Sequence, residues 1–403
     1  MIRAALVGVS GYGRWHLLMA MEQTLLGRLQ LVGATVINAS EQQAVCRRLA
    51  RQRVPVFASF DEMMTALAGS IDLLLLPTGI QWHAPMTIAG LRAGAHVLVE
   101  KPIAPTLQDV DAIVAAREAA QRVVAVGFQD LYVPAAHDIK RRVLAGEIGA
   151  LRRIVVIGQW PRSSSYYSRN LWAGRLQLDG AWVLDSPVSN AFAHFLMLAL
   201  FWAAHTPRGV AEPVELDAEL YRAGPIESFD TASLRVLTHE GVEILFYGTH
   251  AGREEFVPEV KLIGDRGTIT WLYERTYTIE RPGAAGETLS VPDQLDTRLQ
   301  VLDSTLSRIE TGEGFIVTPE MAREHTRVIN ALHEHFPIHG VATWHVDAES
   351  DAMGTFHQIK NLDTLVAQAA ARGVLFSAAG APWAQPSAGA CCVRGYRRFG
   401  GVK

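Results

Sequence analysis

Short apolar runs alternate with segments of helical spacing along the first 127 residues. The runs lie at residues 4–7, 29–36, 71–76, 96–99 and 123–126. The run at 71–76 is almost uninterrupted, which is typical of a central parallel strand whose two faces are both covered. The alternation predicts an α/β domain with a doubly wound parallel sheet over residues 1–127.

A different pattern begins near residue 215, where β-branched and alternating apolar residues recur between turns. It predicts several strands in succession, and therefore a mostly antiparallel sheet, within a second α/β domain at residues 128–345. One face of this sheet is expected to pack on helices, and the other to bind substrate or another subunit. Residues 347–371 are predicted to be helical, so we assign residues 346–403 to a C-terminal helix and tail.

Composition narrows the function classes. The 403 residues carry 37 Lys and Arg against 41 Asp and Glu, a formal charge of −4, and no large charged block. This argues against a nucleic-acid or anionic-membrane partner. Cys46, Cys391 and Cys392 show neither zinc spacing nor a disulfide framework, so we expect no metal and a reducing, cytoplasmic location. The N-terminus enters a strand at once, which leaves no room for a signal peptide.

A glycine-dense turn follows the first apolar run and opens a helix. Gly8 and Gly13 occupy the first and third places of a G-x-G-x-x-G pattern, whereas Ser10 takes the middle place and is followed by Gly11 and Tyr12. Backbone N–H groups and the positive end of a helix dipole meet at such a turn and attract a pyrophosphate. The turn therefore predicts a dinucleotide site, and the alternative is a strand–turn–helix without a ligand.

The end of the second strand carries no acid to hold ribose hydroxyls, although a dinucleotide site commonly has one there. Asn38 stands in this segment and is able to hydrogen-bond a ribose. Because the missing carboxylate would tolerate a 2′-phosphate, the cofactor is predicted to be NAD or NADP.

Polar residues follow the central strands at the edge where ligands gather in open α/β sheets. Pro77 and Thr78 end the run at 71–76, and His83 starts the next helix. The run at 96–99 ends in Glu100, Lys101 and then a proline. A lysine before proline is pushed out of the helical region, so Lys101 projects from the strand tip. Partial desolvation beside a nicotinamide would lower the pKa of Lys101 and suit it to hold or relay a hydroxyl proton.

Taken together, these motifs resemble the Gfo/Idh/MocA family, the glucose–fructose oxidoreductase and inositol dehydrogenase group. The resemblance rests on the glycine turn, on Pro77-Thr78, on Glu100-Lys101-Pro102 and on the run at 126–128. It covers residues 1–150 closely and continues more loosely to residue 340. It implies a Rossmann domain followed by an α/β domain with a large open sheet, and NAD(P)-dependent chemistry on a sugar-like hydroxyl or carbonyl. It also implies a catalytic role for Lys101 and a homo-oligomer, a dimer or tetramer.

The second domain holds the other candidate catalytic residues. Asn190 and His194 are four apart, so they are predicted to share one face of a helix that starts at Ser186. The family carries an Asp and a His at this spacing and a second acid three residues later; here Asn190 and Met197 stand at the acid positions. We hypothesise that His194 is the general acid/base, that Asn190 binds a neighbouring hydroxyl, and that Asp185 binds substrate or orients the site.

A polar loop at residues 163–175 precedes this helix and is rich in hydroxyls, aromatics and arginines, as polyol pockets are. Family members carry adjacent Trp and Arg here, whereas two residues separate Trp172 from Arg175. Both are predicted to bind substrate, and an ordinary exposed loop is the alternative.

Three functions remain open. The first is NAD(P)-dependent hydride transfer to or from a sugar, an inositol-like polyol or a sugar-derived acid. The second is NAD-dependent glycoside cleavage without net redox. The third is a non-catalytic nucleotide-binding protein, which the departures at Asn190 and Met197 keep open.

Overall fold

Two large β-sheets organise the chain in a computed structural model that describes residues 1–402. Up to residue 144 the elements are β1 (Ile2–Val7), α1 (Gly13–Leu25), β2 (Leu29–Thr35), α2 (Gln43–Arg51), β3 (Val56–Phe57), α3 (Phe60–Ala66), β4 (Leu73–Leu76), α4 (Ile80–Arg92), β5 (His96–Val99), α5 (Leu107–Ala120), β6 (Val124–Val126) and α6 (Pro134–Leu144). The next elements are β7 (Leu151–Gln159), α7 (Ser164–Ser168), β8 (Gln177–Leu178), β9 (Ala181–Trp182), α8 (Ala193–Ala203), β10 (Pro213–Arg222), β11 (Thr231–Thr238), β12 (Glu243–Thr249), β13 (Phe256–Gly264), β14 (Gly267–Leu272), β15 (Thr276–Glu280) and β16 (Glu287–Ser290). The last are α9 (Gln294–Thr311), α10 (Pro319–His335), β17 (Ile338–Gly340), β18 (Val346–Asp351), β19 (Gly354–Ile359), α11 (Leu362–Arg372), α12 (Phe376–Ala379) and β20 (Cys391–Cys392).

The chain divides into two compact units. The first comprises residues 1–104, 108–132 and 294–322, and the second comprises residues 105–107, 133–293 and 323 onward. The limits proposed above at residues 127 and 345 stay a prediction. No helix within residues 1–402 has the length and hydropathy needed to cross a membrane.

The first unit contains a parallel sheet with strand order β3-β2-β1-β4-β5-β6. This is the order of a doubly wound dinucleotide-binding fold, in which ligands bind at the carboxyl ends of the strands. All four side chains of the central strand β4 are fully buried, because helices cover both faces. The fold predicted for this part of the chain is confirmed.

The second unit is built on a larger sheet with strand order β16-β15-β14-β13-β7-β12-β11-β10-β17. Most neighbours are antiparallel, as predicted, although β7 pairs with β12 and β10 with β17 in parallel. Side chains alternate across β7. Gly158 faces the ring of Phe192, and a Cβ at position 158 would lie only 2.6 Å from it.

The other face of this sheet is covered by the end of the chain itself. Val155, Leu245 and Tyr247 from the sheet form one apolar cluster with Leu362 and Val366 of α11. The expectation that this face is open to substrate or to another subunit is therefore wrong for the region beneath α11. A helix with an apolar stripe covers a sheet face that water would otherwise solvate unfavourably.

The helix predicted over residues 347–371 is only partly present. Residues 346–359 form the antiparallel hairpin β18–β19, and the helix α11 starts at Leu362. Gly354 has φ +105°, which favours a tight reversal of the backbone over helix continuation. The helical prediction failed because polar residues alternate through both strands and leave neither period dominant.

Replacing Leu362 by Ala is expected to lower the free energy of unfolding by about 2–5 kcal/mol, because Leu362 is 1% exposed in the cluster over the sheet. Chemical unfolding followed by circular dichroism measures the change. Gln368→Ala, at an exposed position of the same helix, is the matched control. Equal stability of the two variants would contradict the packing of α11 on the sheet.

Candidate functional site

The glycine turn joins β1 to α1 at close range. Gly8 has φ +94° and donates its N–H to the carbonyl of Thr35 on the neighbouring strand. A Cβ at position 13 would lie 2.4 Å from the carbonyl oxygen of Gly8, so only glycine fits there. Gly11 has φ +54°, and a Cβ there would meet open space. The turn thus brings the start of α1 against the end of β1 and leaves room over Gly11.

The start of α1 has the features of an anion site. No side chain caps this 13-residue helix, and its first turn contains no acidic residue. Within residues 1–402, no backbone hydrogen bond is made by the N–H of Gly11 or Tyr12. Such N–H groups and the helix dipole suit the pyrophosphate of a dinucleotide, so Gly8, Ser10, Gly11, Tyr12 and Gly13 fit the predicted cofactor.

Asn38 lies in the turn after β2, beside an acid that the sequence prediction passed over. Its side-chain amide donates to the carboxylate of Glu41 at 3.0 Å, and the N–H of Glu41 donates to the carbonyl of Asn38. The turn therefore carries a carboxylate at the strand end where a ribose-binding acid is expected. The pattern of residues 41–53 predicts a helix that would include Glu41, whereas the helix α2 begins at Gln43, so sequence reasoning missed this acid.

His83 ties together the ends of β4 and β5. It lies within α4, which starts at Ile80 rather than at His83 as predicted. Its Nδ1 lies 2.7 Å from the carbonyl oxygen of Pro102, and its Nε2 lies 3.1 Å from that of Thr78. Burial lowers the pKa of His83, so the neutral ring has one proton for two acceptors. We assign that proton to Nδ1 because its contact is shorter.

Glu100 and Lys101 follow β5 directly. The Glu100 carboxylate is buried and lies 2.8 Å from Nε2 of His16 on α1. Gly127 permits this arrangement, since a Cβ there would be 2.4 Å from Oε1 of Glu100. The Lys101 backbone N–H donates to the same carboxylate at 3.4 Å. The structure thus places Pro77, Thr78, Glu100 and Lys101 at the carboxyl ends of neighbouring strands, as predicted from their order in the chain.

Asp185 and Asn190 contact one another in the second unit. The Asn190 amide donates to Oδ1 of Asp185 at 2.9 Å, and the N–H of Gly174 donates to Oδ2 at 2.6 Å. Ser186, and not Asp185, caps the following turn. That turn, Pro187–Ala191, is a π-helix, and Phe192 leaves helical geometry before α8 begins at Ala193. Asn190 and His194 therefore do not lie on successive turns of one regular α-helix. The prediction that they share one face of such a helix is wrong.

His194 lies in the first turn of α8 and is 7% exposed. Trp172 is half-buried and lies under the guanidinium of Arg169. The Arg175 side chain is half-exposed and lies 3.9 Å from Glu227, whereas its carbonyl accepts the N–H of Asp185. The backbone of the predicted loop therefore supports Asp185, and the side chain of Arg175 faces outward.

Several residues around the glycine turn had no sequence signal. The Tyr12 hydroxyl donates to Gln129 at 2.9 Å, and the Arg298 guanidinium lies over the rings of Tyr12 and Trp15. Arg298 comes from α9, far along the chain, and no local pattern connects it to α1. His16 is recognisable only as the residue four after Tyr12, on the same face of α1.

Comparison with known proteins matches the first part of the chain to a family. Residues 2–128 match the family described as "Oxidoreductase family, NAD-binding Rossmann fold", the Gfo/Idh/MocA group. Among curated relatives, the chain is 29% identical over 154 residues to 4-carboxy-2-hydroxymuconate-6-semialdehyde dehydrogenase of Sphingobium sp., covering 36% of this chain and 44% of the relative. It is 28% identical over 148 residues to scyllo-inositol 2-dehydrogenase (NAD(+)) of Bacillus subtilis, covering 37% and 42%. The match thus spans somewhat less than half the length of these relatives.

Solved structures share the fold over more of the chain. WlbA dehydrogenase from Bordetella pertussis, in complex with NADH and UDP-GlcNAcA, aligns with a TM-score of 0.67 and 20% identity, over 82% of this chain and 94% of that one. An oxidoreductase from Agrobacterium radiobacter, in complex with NAD+, L-tartaric acid and magnesium, aligns with a TM-score of 0.66 and 14% identity, over the same shares. At these identities the likeness concerns the fold.

The glycine turn, the strand order and the match over residues 2–128 define an NAD-binding Rossmann domain. Over residues 2–128 the resemblance to the Gfo/Idh/MocA family that was inferred from the motifs is confirmed.

Gly13→Ala is expected to abolish NAD binding, because its methyl group would collide with the Gly8 carbonyl and separate α1 from β1. Calorimetric titration with NAD measures the loss. Arg14→Ala, at the adjacent exposed position, is the control and is expected to keep a folded NAD site. Unchanged NAD affinity in Gly13→Ala would show that the dinucleotide does not use this turn.

Proposed function

We propose that this protein is an NAD(P)-dependent oxidoreductase that transfers hydride between nicotinamide and a hydroxyl or carbonyl group of a sugar, polyol or sugar-derived acid. The observation that carries the proposal is the uncapped, acid-free start of α1 over a glycine turn, within an NAD-binding domain that also presents a lysine at a strand tip. The names of the relatives support the substrate class, since inositols and hydroxylated acids recur among them.

Different residues of the chain would have separate roles in hydride and proton transfer. The bound nicotinamide would supply or accept the hydride. Lys101 would hold the oxygen of the reacting hydroxyl, and the Glu100–His16 pair with His83 would fix the strand tip that carries it. His194 would take the hydroxyl proton during oxidation and return it during reduction.

Asn190 would bind a second hydroxyl of the substrate. Its amide donates to Asp185, and its carbonyl oxygen is the atom that would accept the hydroxyl proton of the substrate. An aspartate in place of Asn190 would lie against Asp185 and repel it. The amide therefore allows the contact with Asp185 to carry one negative charge instead of two.

Lys101→Met and His194→Ala are each expected to lower kcat for the reacting polyol by about 10²–10⁴-fold while the protein stays folded, since each removes a proton-handling group. NADH absorbance measures turnover, and circular dichroism reports folding. Lys261→Met, on β13, controls for loss of a lysine. Wild-type turnover in both variants would overturn the assignment. Product formation without net NADH change would favour glycoside cleavage instead.

We further propose that NAD is preferred to NADP, because Asn38 holds the Glu41 carboxylate at the end of β2. A carboxylate there would repel a 2′-phosphate. Glu41→Gln is expected to shift the ratio of kcat/KM values towards NADP by about tenfold, an effect of the size of one removed charge contact. Glu118→Gln, at an exposed position of α5, should leave the ratio unchanged. An NADP preference in the unmodified protein would contradict the proposal.

A homo-oligomer and a cytoplasmic location complete the proposal. Within residues 1–402 all three cysteines are free thiols, as suits a reducing compartment. Because α11 and α12 cover one face of the large sheet, a second copy would have to use other surfaces.

A further inference from the structure

A cavity of about 220 Å³ lies entirely within the second unit. Its walls come from three segments: Arg162 and Tyr167 precede the candidate catalytic turn, Asp230 and His250 lie at ends of sheet strands, and Thr355 and His357 belong to β19. It is smaller than the roughly 300–1,000 Å³ of sites for drug-sized ligands, so it suits a single sugar-sized group. None of the residues named for the proposed proton transfer lines it.

The β18–β19 hairpin is fixed in place as one wall of this cavity. The Ser163 hydroxyl donates to the carbonyl of Met353 at 2.5 Å, and the N–H of Thr355 donates to the Ser164 hydroxyl at 3.0 Å. Ser163 also forms a β-bridge with Phe356. The wall is therefore part of the folded sheet domain.

His250 presents an unused polar atom at the cavity. It is 6% exposed, and its Nε2 has no hydrogen-bond partner among residues 1–402. Burial, and then the charges of Arg162 and Arg169, lower the pKa of His250 well below its ordinary range, so the ring is neutral. Burial raises the pKa of Tyr167 well above its ordinary value, so its hydroxyl stays protonated, and its oxygen lies 3.1 Å from Nδ1 of His250. We assign the hydroxyl as the donor in this contact, which leaves the ring proton on Nε2 as a buried donor without an acceptor.

Arg162 adds a cation to the same wall. Its guanidinium lies over the rings of Trp160 and Tyr166, 5.5 and 4.8 Å from their centroids. Among residues 1–402, its Nε is buried without a hydrogen-bond partner. A buried donor without a partner is unfavourable, and a bound acceptor would remove that cost.

Asp230 gives the cavity the opposite chemistry. Its carboxylate accepts the N–H groups of Ala223 and Gly224 and the hydroxyl of Thr231. Three donors leave acceptor capacity for a ligand hydroxyl, because a carboxylate accepts about four hydrogen bonds. A ligand that carries both an acidic group and hydroxyls would match both walls.

We infer that this cavity binds a polyhydroxy acid, with its carboxylate on Arg162 and Nε2 of His250 and its hydroxyls towards Asp230. The cavity adjoins the segment that holds Asp185 and its partner Asn190. Gly174 donates to Asp185, and a Cβ on Gly174 would lie 2.9 Å from Tyr167 and 3.0 Å from Ile226, which both line the cavity. That this acid is also the molecule oxidised or reduced rests on the proposed function.

The test measures binding to the whole protein without NAD, by calorimetry with D-glucuronate, D-glucose 6-phosphate and D-glucose. Glucuronate is expected to bind at least tenfold more tightly than glucose. Arg162→Gln should weaken glucuronate binding by about 10- to 100-fold, the range for a charged hydrogen bond. The matched control is Arg152→Gln on β7, an exposed residue paired with Asp265 and outside the cavity. It should leave the affinity unchanged.

His250→Phe supplies an independent variant, since it keeps an aromatic ring but removes Nε2, and about a fivefold to tenfold loss for glucuronate is expected. Equal affinities for glucuronate and glucose, or equal losses in Arg162→Gln and Arg152→Gln, would overturn the inference. Tighter binding of glucose 6-phosphate would overturn the carboxylate assignment.

The binding result is separable from the proposed reaction. Arg162-dependent glucuronate binding without any hydride transfer would uphold the site and refute the oxidoreductase proposal. If the protein oxidises neutral polyols with NAD, if Arg162→Gln leaves that activity intact and if glucuronate does not bind, the oxidoreductase proposal is upheld and the site is refuted.

Discussion

The distance between the Gly8 carbonyl and the backbone of Gly13 is the constraint on which the first unit depends. It allows α1 to start directly above the end of β1, and the N–H groups at that start are then available to an anion. The Tyr12–Gln129 hydrogen bond and the stacking of Arg298 hold the same turn from its other side. The end of β5 is positioned separately, through Glu100 and His16. The residues that fit the cofactor thus lie at the carboxyl edge of an apolar parallel sheet.

In the second unit, coverage of both sheet faces is the corresponding constraint. Phe192 packs against Gly158 on one face, and Leu362 with Val366 packs on the other. Burial on both sides makes the sheet a rigid support for the residues at its strand ends. Asp230 and His250 lie at such ends and are buried. Buried polar groups need hydrogen-bond partners, which either the protein or a bound ligand supplies.

The sequence was most informative where one period dominated. Unbroken apolar runs predicted the parallel strands, and parallel strands bring their ends together, which placed Thr78 and Lys101 at one edge. The hairpin at 346–359 was not predicted because its polar residues carry no clear period. The π-helix at 187–191 was not predicted because the change of backbone conformation at Phe192 has no counterpart in the residue types. Arg298 was unpredictable for a third reason, since its contact with Tyr12 joins positions distant in sequence.

The β18–β19 hairpin has a consequence for how the protein is made. Thr355 and His357 emerge from the ribosome long after Arg162, Asp230 and His250, so most of the cavity is synthesised before its last wall exists. The sheet strands can pair during translation, whereas the completed cavity must await the closing stretch of the polypeptide. Premature termination between residues 323 and 353 would therefore yield a product that keeps every residue of the first unit and lacks the last wall of this cavity.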